Sequence, residues 1–183
     1  MAFRQEYVEA LRLIAAVFDD YEARTGVRPI LVGGAVVEYY TAGDIISGDF
    51  DIIAGDQQVF ADTMKAHDFR QEDRPGHLRR GFYHRQLDIG VELVSGALFD
   101  GRTDPERIGV IIVEGRPRVR VPPVEDMIAD RLGQFEASER RDDEMLSQAR
   151  IMRDLAESID FAYLERRVKE EGSDLSLLTK RIK

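Results

Sequence analysis

Residues 30–40 read Ile-Leu-Val-Gly-Gly-Ala-Val-Val-Glu-Tyr-Tyr, and residues 47–53 read Ser-Gly-Asp-Phe-Asp-Ile-Ile. The apolar run Ile30–Val32 has the length and composition of a strand, and it ends at Gly33-Gly34. Ala35–Tyr40 then has the composition of a helix start. A glycine turn that opens a helix directs free backbone N–H groups at an anion. The stretch therefore predicts a strand, an anion-binding turn and a helix, followed by a second strand.

Asp49 and Asp51 lie in that second strand, on either side of Phe50. Side chains alternate between the two faces of a strand, so the carboxylates share one face while Phe50 and Ile52 share the other. Two carboxylates roughly 7 Å apart along a strand repel each other unless a cation or water separates them. A divalent ion fits that gap, because Mg²⁺ favours carboxylate oxygens together with substrate phosphates. The alternative interpretation is a solvated strand end that forms a turn.

A strand, Gly-Gly, a helix and a hydrophobic-flanked Asp-x-Asp together resemble the signature of the nucleotidyltransferase superfamily that includes DNA polymerase beta. The resemblance is closer to its small prokaryotic members, the minimal nucleotidyltransferases and those of toxin–antitoxin and abortive-infection systems. In that family the two aspartates and a third acidic residue on a neighbouring strand hold two metal ions. These ions bind a nucleoside triphosphate (NTP), whose α-phosphate is attacked by an acceptor hydroxyl. The 14 residues between Gly34 and Asp49 are slightly more than the family pattern has.

The segment Leu87–Val94 carries two candidates for the third carboxylate. As a strand it would place Asp88, Gly90 and Glu92 on one face. The resemblance implies an acidic residue between two apolar ones, and both Asp88 and Glu92 satisfy that pattern. Glu92 is favoured because the residues that follow it, 94–98, resemble the segment after the third carboxylate in small family members. Asp88 remains the alternative.

A second resemblance lies in residues 121–132. Small nucleotidyltransferases often close their sheet with a proline, an acidic pair and a helix in which a basic residue precedes a leucine. Pro122-Pro123, Glu125-Asp126 and Arg131 stand at those positions. The resemblance implies that Arg131 faces the triphosphate, and the alternative is an ordinary solvated arginine on a helix.

The implied function is metal-dependent transfer of a nucleoside monophosphate from an NTP to a hydroxyl acceptor, which is a protein, a small molecule or a tRNA end. Mg²⁺ or Mn²⁺ is the implied cofactor, with four candidate ligands: Asp49, Asp51, Glu92 and, as the alternative third carboxylate, Asp88. The candidate nucleotide-binding residues are Gly33, Gly34, Ser47 and Arg131. Because fold and function separate readily, the alternative function is a catalytically silent, antitoxin-like or nucleotide-binding domain that binds a partner protein.

Composition limits the remaining classes of function. The 183 residues include 26 basic and 35 acidic side chains, for a net charge of −9, which makes extensive nucleic-acid binding unlikely on electrostatic grounds. The chain has no cysteine, so disulfides and thiolate metal sites are excluded. Its charged N-terminus is not a signal peptide, and no apolar run approaches the ~18 residues of a membrane span. We expect a cytoplasmic protein without a membrane partner.

The pattern as a whole predicts an α+β fold, with a mixed, nucleotidyltransferase-like sheet of about five strands flanked by helices and a C-terminal helical extension. Apolar spacing predicts an N-terminal helix over 3–24, and a hairpin is predicted near residues 108–121. Helices are predicted from Val124, over 139–158 and over 161–171. We divide the chain into a core over 1–121 and a helical segment over 122–183 packed on it, and the long terminal helices make a homodimer reasonable.

Overall fold

The computed structural model describes residues 3–71, 81–87, 89–94 and 96–179. The helices are α1 (Gln5–Thr25), α2 (Gly33–Tyr40), α3 (Gln57–Ala66), α4 (Val124–Ala137), α5 (Asp143–Leu155) and α6 (Phe161–Glu170). The strands are β1 (Ile30–Val32), β2 (Asp49–Ile53), β3 (Arg70–Gln71), β4 (Gly81–His84), β5 (Ile89–Val94), β6 (Gly109–Val113) and β7 (Arg116–Val121). Short 3-10 turns cover Leu98–Gly101, Pro105–Arg107 and Leu175–Leu178.

The strands form one mixed sheet in the order β3-β4-β5-β2-β1-β7-β6. The pairs β2–β5 and β1–β7 are parallel, and the other neighbours are antiparallel. The predicted α+β class is confirmed. The sheet has seven strands where about five were expected, because the β6–β7 hairpin joins it through β1 and the two-residue β3 extends its other edge.

One face of the sheet is covered by α1 and α3. Phe50, Val91 and Phe82 are aligned across β2, β5 and β4, so they share this face. Tyr7 of α1 stacks on Phe50 with ring centroids 5.8 Å apart, and Phe60 of α3 meets Phe82 at 5.9 Å. Because strand side chains alternate, the acidic residues of β2 and β5 lie on the opposite face.

Two predicted helices differ in their bounds from the structure. The N-terminal helix ends at Thr25, one residue later than predicted, because Gly26 adopts a left-handed φ of 74° and its N–H closes the last turn on Glu22. The helix predicted over 139–158 begins only at Asp143. Glu139 and Arg140 have φ values of 57° and 64°, which a helix cannot contain.

One hydrophobic core extends across the predicted domain boundary at residue 121. Phe18 of α1 and Val36 of α2 belong to the same buried cluster as Met127 and Ile128 of α4 and Met152 of α5. The division into two domains stays a prediction. In the described part of the chain no helix is both long enough and apolar enough to cross a membrane.

A buried ion pair fastens α6 to α4. Arg167 and Asp126 are both fully buried, and Arg167 Nε donates to Asp126 Oδ1 at 2.7 Å. The remaining guanidinium nitrogens donate to Glu170 and Glu171 at 2.6 and 2.9 Å. Burial of these charges is tolerated because each has a partner.

We expect Arg167→Met to lower the free energy of unfolding by about 3–5 kcal/mol, because Asp126 would become an unpaired buried charge. Urea denaturation measures the change. Arg166→Met is the matched control, since Arg166 is half-exposed and pairs with Asp104 and Glu170; it should cost at most about 1 kcal/mol. Equal effects of the two substitutions would contradict a structural role for the buried pair.

Candidate functional site

Three acidic side chains lie on neighbouring strands, on the sheet face opposite α1 and α3. In the parallel β2–β5 pair, Asp51 is opposite Glu92 and Asp49 is opposite Gly90. Residues in register on adjacent strands share a face, and their backbones are about 4.8 Å apart. Asp49 and Glu92 are exposed, whereas Asp51 is half-buried. The register therefore makes Asp49, Asp51 and Glu92 neighbours, as the sequence predicted; their catalytic and metal-binding roles stay predictions.

These carboxylates do not form a closed ligand set. Among the described residues, no three His, Asp or Glu side chains are arranged to hold one metal ion. Asp49 and Glu92 are solvent-exposed, so their carboxylates can turn without disturbing the core. Asp88, the alternative third carboxylate, lies outside the described residues.

The pKa of Asp51 is raised by its surroundings. Burial raises its pKa above the ordinary aspartate value, and the negative charges of Glu92 and Asp49 raise it further. Arg131 and a hydrogen bond from the backbone N–H of Gly34 act in the opposite direction. The site thus holds concentrated negative charge that the protein's own cations only partly neutralise.

The glycine turn packs directly on Asp51. Gly33 has a φ of 69°, and a Cβ on it would lie 2.7 Å from Asp51 Cγ and would overlap its carboxylate. Only glycine satisfies both the left-handed backbone and this close approach. The N–H of Gly34 is directed at Asp51, so the phosphate-binding role predicted for Gly33 and Gly34 stays a prediction.

A buried carboxylate fixes the loop that leads into β2. Glu38 is fully buried and accepts hydrogen bonds from Arg4 Nε at 2.8 Å and from the Ser47 N–H at 2.8 Å. The hydroxyl of Ser47 donates to the Asp49 carbonyl at 2.9 Å and lies against Gly34. Ser47 therefore connects the glycine turn to β2, and its predicted contact with a nucleotide stays untested. Glu38 was not among the predicted site residues, although it is the sole charged residue in the 30–40 stretch.

Arg131 of α4 lies close to Asp51, since its charge lowers the pKa of that carboxyl. Its side chain is only 7% exposed, which rules out an ordinary solvated arginine. Nη1 donates to Asp130 Oδ2 at 2.9 Å, whereas Nε has no hydrogen-bond partner among the described residues. Burial raises the pKa of Asp130 even though Arg131 favours its charged form. Asp130, which holds one side of Arg131, was not among the predicted site residues.

Known structures identify the fold. No family model matches the chain, and no curated protein matches its sequence. A nucleotidyltransferase-like antigenic protein from Paracoccidioides brasiliensis superposes with a TM-score of 0.62, over 100% of this chain and 97% of its own, at 14% identity. The chain has a nucleotidyltransferase-like fold.

The same fold occurs in ANT(2″)-Ia. Its crystal structure in complex with adenylyl-2″-tobramycin gives a TM-score of 0.56 at 14% identity, over 90% of this chain and 96% of that one. Its solution structure, described as that of an antibiotic-resistance factor, gives a TM-score of 0.57 at 14% identity over 89% of each chain. At this identity the likeness of this nucleotidyltransferase-like chain to either protein concerns the fold alone.

Gly33→Ala should destabilise the protein more than Gly26→Ala does. Both positions have a positive φ, but a Cβ at Gly26 meets nothing within 4 Å, whereas one at Gly33 overlaps Asp51. Gly26→Ala should cost about 1 kcal/mol for the left-handed backbone alone. Gly33→Ala should cost about 1–3 kcal/mol more, because the clash displaces Asp51 or the turn. Denaturant titration of both variants separates the two contributions, and equal losses would exclude the close approach.

Asp51→Asn should stabilise the protein at pH 7. The pKa of Asp51 is raised in the folded state, so its ionised carboxylate opposes folding at a pH above that pKa. Below the ordinary aspartate pKa of about 3.9 the side chain is protonated in the folded and the unfolded state and has no such effect. We expect an increase in Tm of about 2–4 °C at pH 7, which shrinks as the pH falls to 4. Asp62→Asn, at an exposed position of α3, is the control and should leave Tm unchanged. A lower Tm of Asp51→Asn at pH 7 would show that repulsion between Asp51 and its acidic neighbours does not destabilise the protein.

Proposed function

We propose that this protein is a metal-dependent nucleotidyltransferase that moves a nucleoside monophosphate from an NTP to a hydroxyl acceptor. The observation that carries the proposal is the β2–β5 register, which sets Asp51 opposite Glu92 with Asp49 two residues away. These carboxylates adjoin a glycine turn and a buried arginine, in a nucleotidyltransferase-like fold. Each part alone is common, and the proposal rests on their occurrence at one place on the sheet.

The donor set fits a hard divalent cation. Mg²⁺ binds carboxylate oxygens in combination with substrate phosphates, and Mn²⁺ accepts the same ligands. Asp49, Asp51 and Glu92 would hold the ion or ions, with Asp88 as the alternative to Glu92. When bound, the metal neutralises phosphate charge and lowers the pKa of an acceptor hydroxyl. A cation here would also relieve the repulsion that raises the pKa of Asp51.

Arg131 is the residue best suited to the triphosphate. Its buried guanidinium lies near Asp51 and has an Nε without a partner among the described residues. A buried donor of this kind gains most from a charged acceptor such as a phosphate oxygen. Asp130 holds Nη1 and so fixes the orientation of the guanidinium. Gly33, Gly34 and Ser47 would line the same side of the site.

The acceptor is best explained as a small molecule. A net charge of −9 opposes a broad interface with RNA or DNA, which argues against a tRNA end. ANT(2″)-Ia, which shares the fold, is known in complex with adenylyl-2″-tobramycin, an adenylylated small molecule. A protein side chain is the remaining acceptor class.

A catalytically silent, nucleotide-binding domain is the second candidate, including an antitoxin-like protein that binds a partner. The observation in its favour is that no three of the described acidic side chains are arranged to hold one metal ion. Such a domain would bind nucleotide with Mg²⁺ and give no transfer.

The test is incubation with α-labelled ATP, CTP, GTP or UTP and Mg²⁺ or Mn²⁺, followed by measurement of pyrophosphate release and of labelled product. We expect Asp49→Ala, Asp51→Ala and Glu92→Gln each to lower the rate by about 10³-fold, because each removes part of the metal's charge stabilisation. Asp62→Ala is the matched control on α3 and should retain full activity. If calorimetry detects NTP binding but no nucleotide is turned over, the binding-domain function replaces the enzymatic one.

A further inference from the structure

A row of residues crosses the sheet face opposite α1 and α3, from the carboxylates to the sheet edge. Asp49 of β2 is opposite Gly90 of β5, Gly90 is opposite Tyr83 of β4, and Tyr83 is opposite Arg70 of β3. Residues in register share a face, so all four lie on the side of Asp51 and Glu92. At about 4.8 Å between strands, Tyr83 is about 10 Å and Arg70 about 15 Å from Asp49 along the backbone.

Glycines stand next to both exposed carboxylates. Gly90 adjoins Asp49, and a Cβ there would lie 3.3 Å from Asp49 Cγ and overlap the carboxylate oxygen. Gly81 of β4 is opposite Glu92. We call these two residues the glycine floor. Because neither residue carries a side chain, the Asp49 carboxylate lies over the backbone of Gly90, and no side chain at these two positions separates the carboxylates from Tyr83.

The far side of the glycine floor is aromatic and positively charged. Tyr83 is half-buried, and Arg85 Cζ lies 6.0 Å from its ring centroid. Arg70 and Arg85 are exposed, and neither forms an ion pair with another described residue. A tyrosine ring gives a stacking surface for a flat or cyclic ligand, and arginine guanidinium groups match phosphate geometry.

We propose that the glycine floor is the acceptor site, and that the acceptor is a small ring compound carrying a phosphate, either a sugar phosphate or a nucleoside monophosphate. Its hydroxyl lies beside Asp49 and Glu92, its ring lies between these carboxylates and Tyr83, and its phosphate is bound by Arg70 and Arg85. This inference rests on the proposed nucleotidyltransferase function and names its acceptor.

The reaction balances without a further reagent. The acceptor hydroxyl oxygen forms a bond to the α-phosphorus of the NTP, and the bond from that phosphorus to the oxygen bridging the α- and β-phosphates breaks. The hydroxyl proton passes to solvent or to a carboxylate, and pyrophosphate leaves. The product is a diester in which the acceptor carries the nucleoside monophosphate.

Charge distinguishes this acceptor from other small molecules. Once a bound cation neutralises the carboxylates, a polycationic amino sugar would be repelled by Arg70 and Arg85, and an unphosphorylated sugar would gain no contact with either guanidinium group. An anionic acceptor is otherwise opposed by the net charge of −9, so its binding requires a local cationic pair.

Isothermal titration calorimetry with Mg²⁺ and without NTP tests the acceptor site apart from catalysis, because the ion would neutralise the carboxylates that otherwise repel an anionic probe. The probes are ribose 5-phosphate and AMP, compared with ribose, adenosine and tobramycin. We expect the phosphorylated probes to bind at least about 10-fold more tightly than their unphosphorylated counterparts, and Arg70→Ala/Arg85→Ala to abolish that ratio. Tyr83→Ala should weaken both phosphorylated probes about 10-fold, whereas Tyr83→Phe should retain their binding. The phosphorylated probe that binds more tightly shows whether the acceptor is a sugar phosphate or a nucleoside monophosphate.

Controls separate this inference from the proposed function. Arg12→Ala removes an exposed arginine from α1, and Arg131→Met removes the cation of the triphosphate side; neither should change binding of ribose 5-phosphate. Binding that depends on Tyr83, Arg70 and Arg85 supports the acceptor site even if no nucleotide is transferred, in which case the proposed function alone fails. Two results overturn the inference when transfer activity is present. One is tighter binding of tobramycin than of either phosphorylated probe, and the other is probe binding that does not change when these three residues are substituted.

Discussion

Repulsion between like charges is the constraint on which this structure depends. Asp51 is held beside Glu92 and Asp49 in a half-buried position, where burial and both neighbours disfavour its ionised form. The carboxylates cannot separate, because the parallel β2–β5 register that aligns them also aligns Phe50 with Val91 in the core on the other face. A slip of one residue would turn the acidic side chains into the core and the apolar ones into solvent. Core packing thus stabilises a charge arrangement that is unfavourable by itself.

Residues outside the carboxylate group hold it in place through buried polar contacts. On one side, Glu38 joins Arg4 to Ser47 and so sets the entry of the chain into β2. On the other side, α4 supplies Arg131, and α4 is itself fastened to α6 by the ion pair between Asp126 and Arg167. The C-terminal helices therefore form part of the structure that positions the site, whether or not they also form a separate folding unit.

Local patterns in the sequence predicted which face each residue of β2 occupies, because the strand period of two acts on consecutive residues. Alternation placed Asp49 with Asp51, and it placed Glu92 on the same face as Gly90. The sequence could not give the partner of each residue, since register is set by contacts between distant segments. For that reason the apposition of Asp51 with Glu92 required the resemblance to a family, and the apposition of Asp49 with Gly90 required the structure. The burial of Arg131 is likewise a tertiary property, since charged and polar residues lie near it in the sequence, whereas the apolar stretch around Glu38 did carry a signal of burial.

The carboxylates divide the sheet face opposite α1 and α3 into two unlike halves. Toward β1 and α4 lie the glycine turn and the buried Arg131, which suit a triphosphate; toward β4 and β3 lie the glycine floor, Tyr83 and two exposed arginines. Phosphoryl transfer places the attacking and leaving oxygens roughly in line through the phosphorus, so a donor and an acceptor must approach from opposite directions. The two halves of this face lie on opposite sides of the carboxylates, as such an approach requires. The half proposed for the NTP depends on α2, α4 and the core, whereas the half proposed for the acceptor belongs to the strands at the edge of the sheet. Substitution at that edge can change side chains there while the carboxylate register stays intact, so a shared fold at 14% identity does not imply a shared ligand.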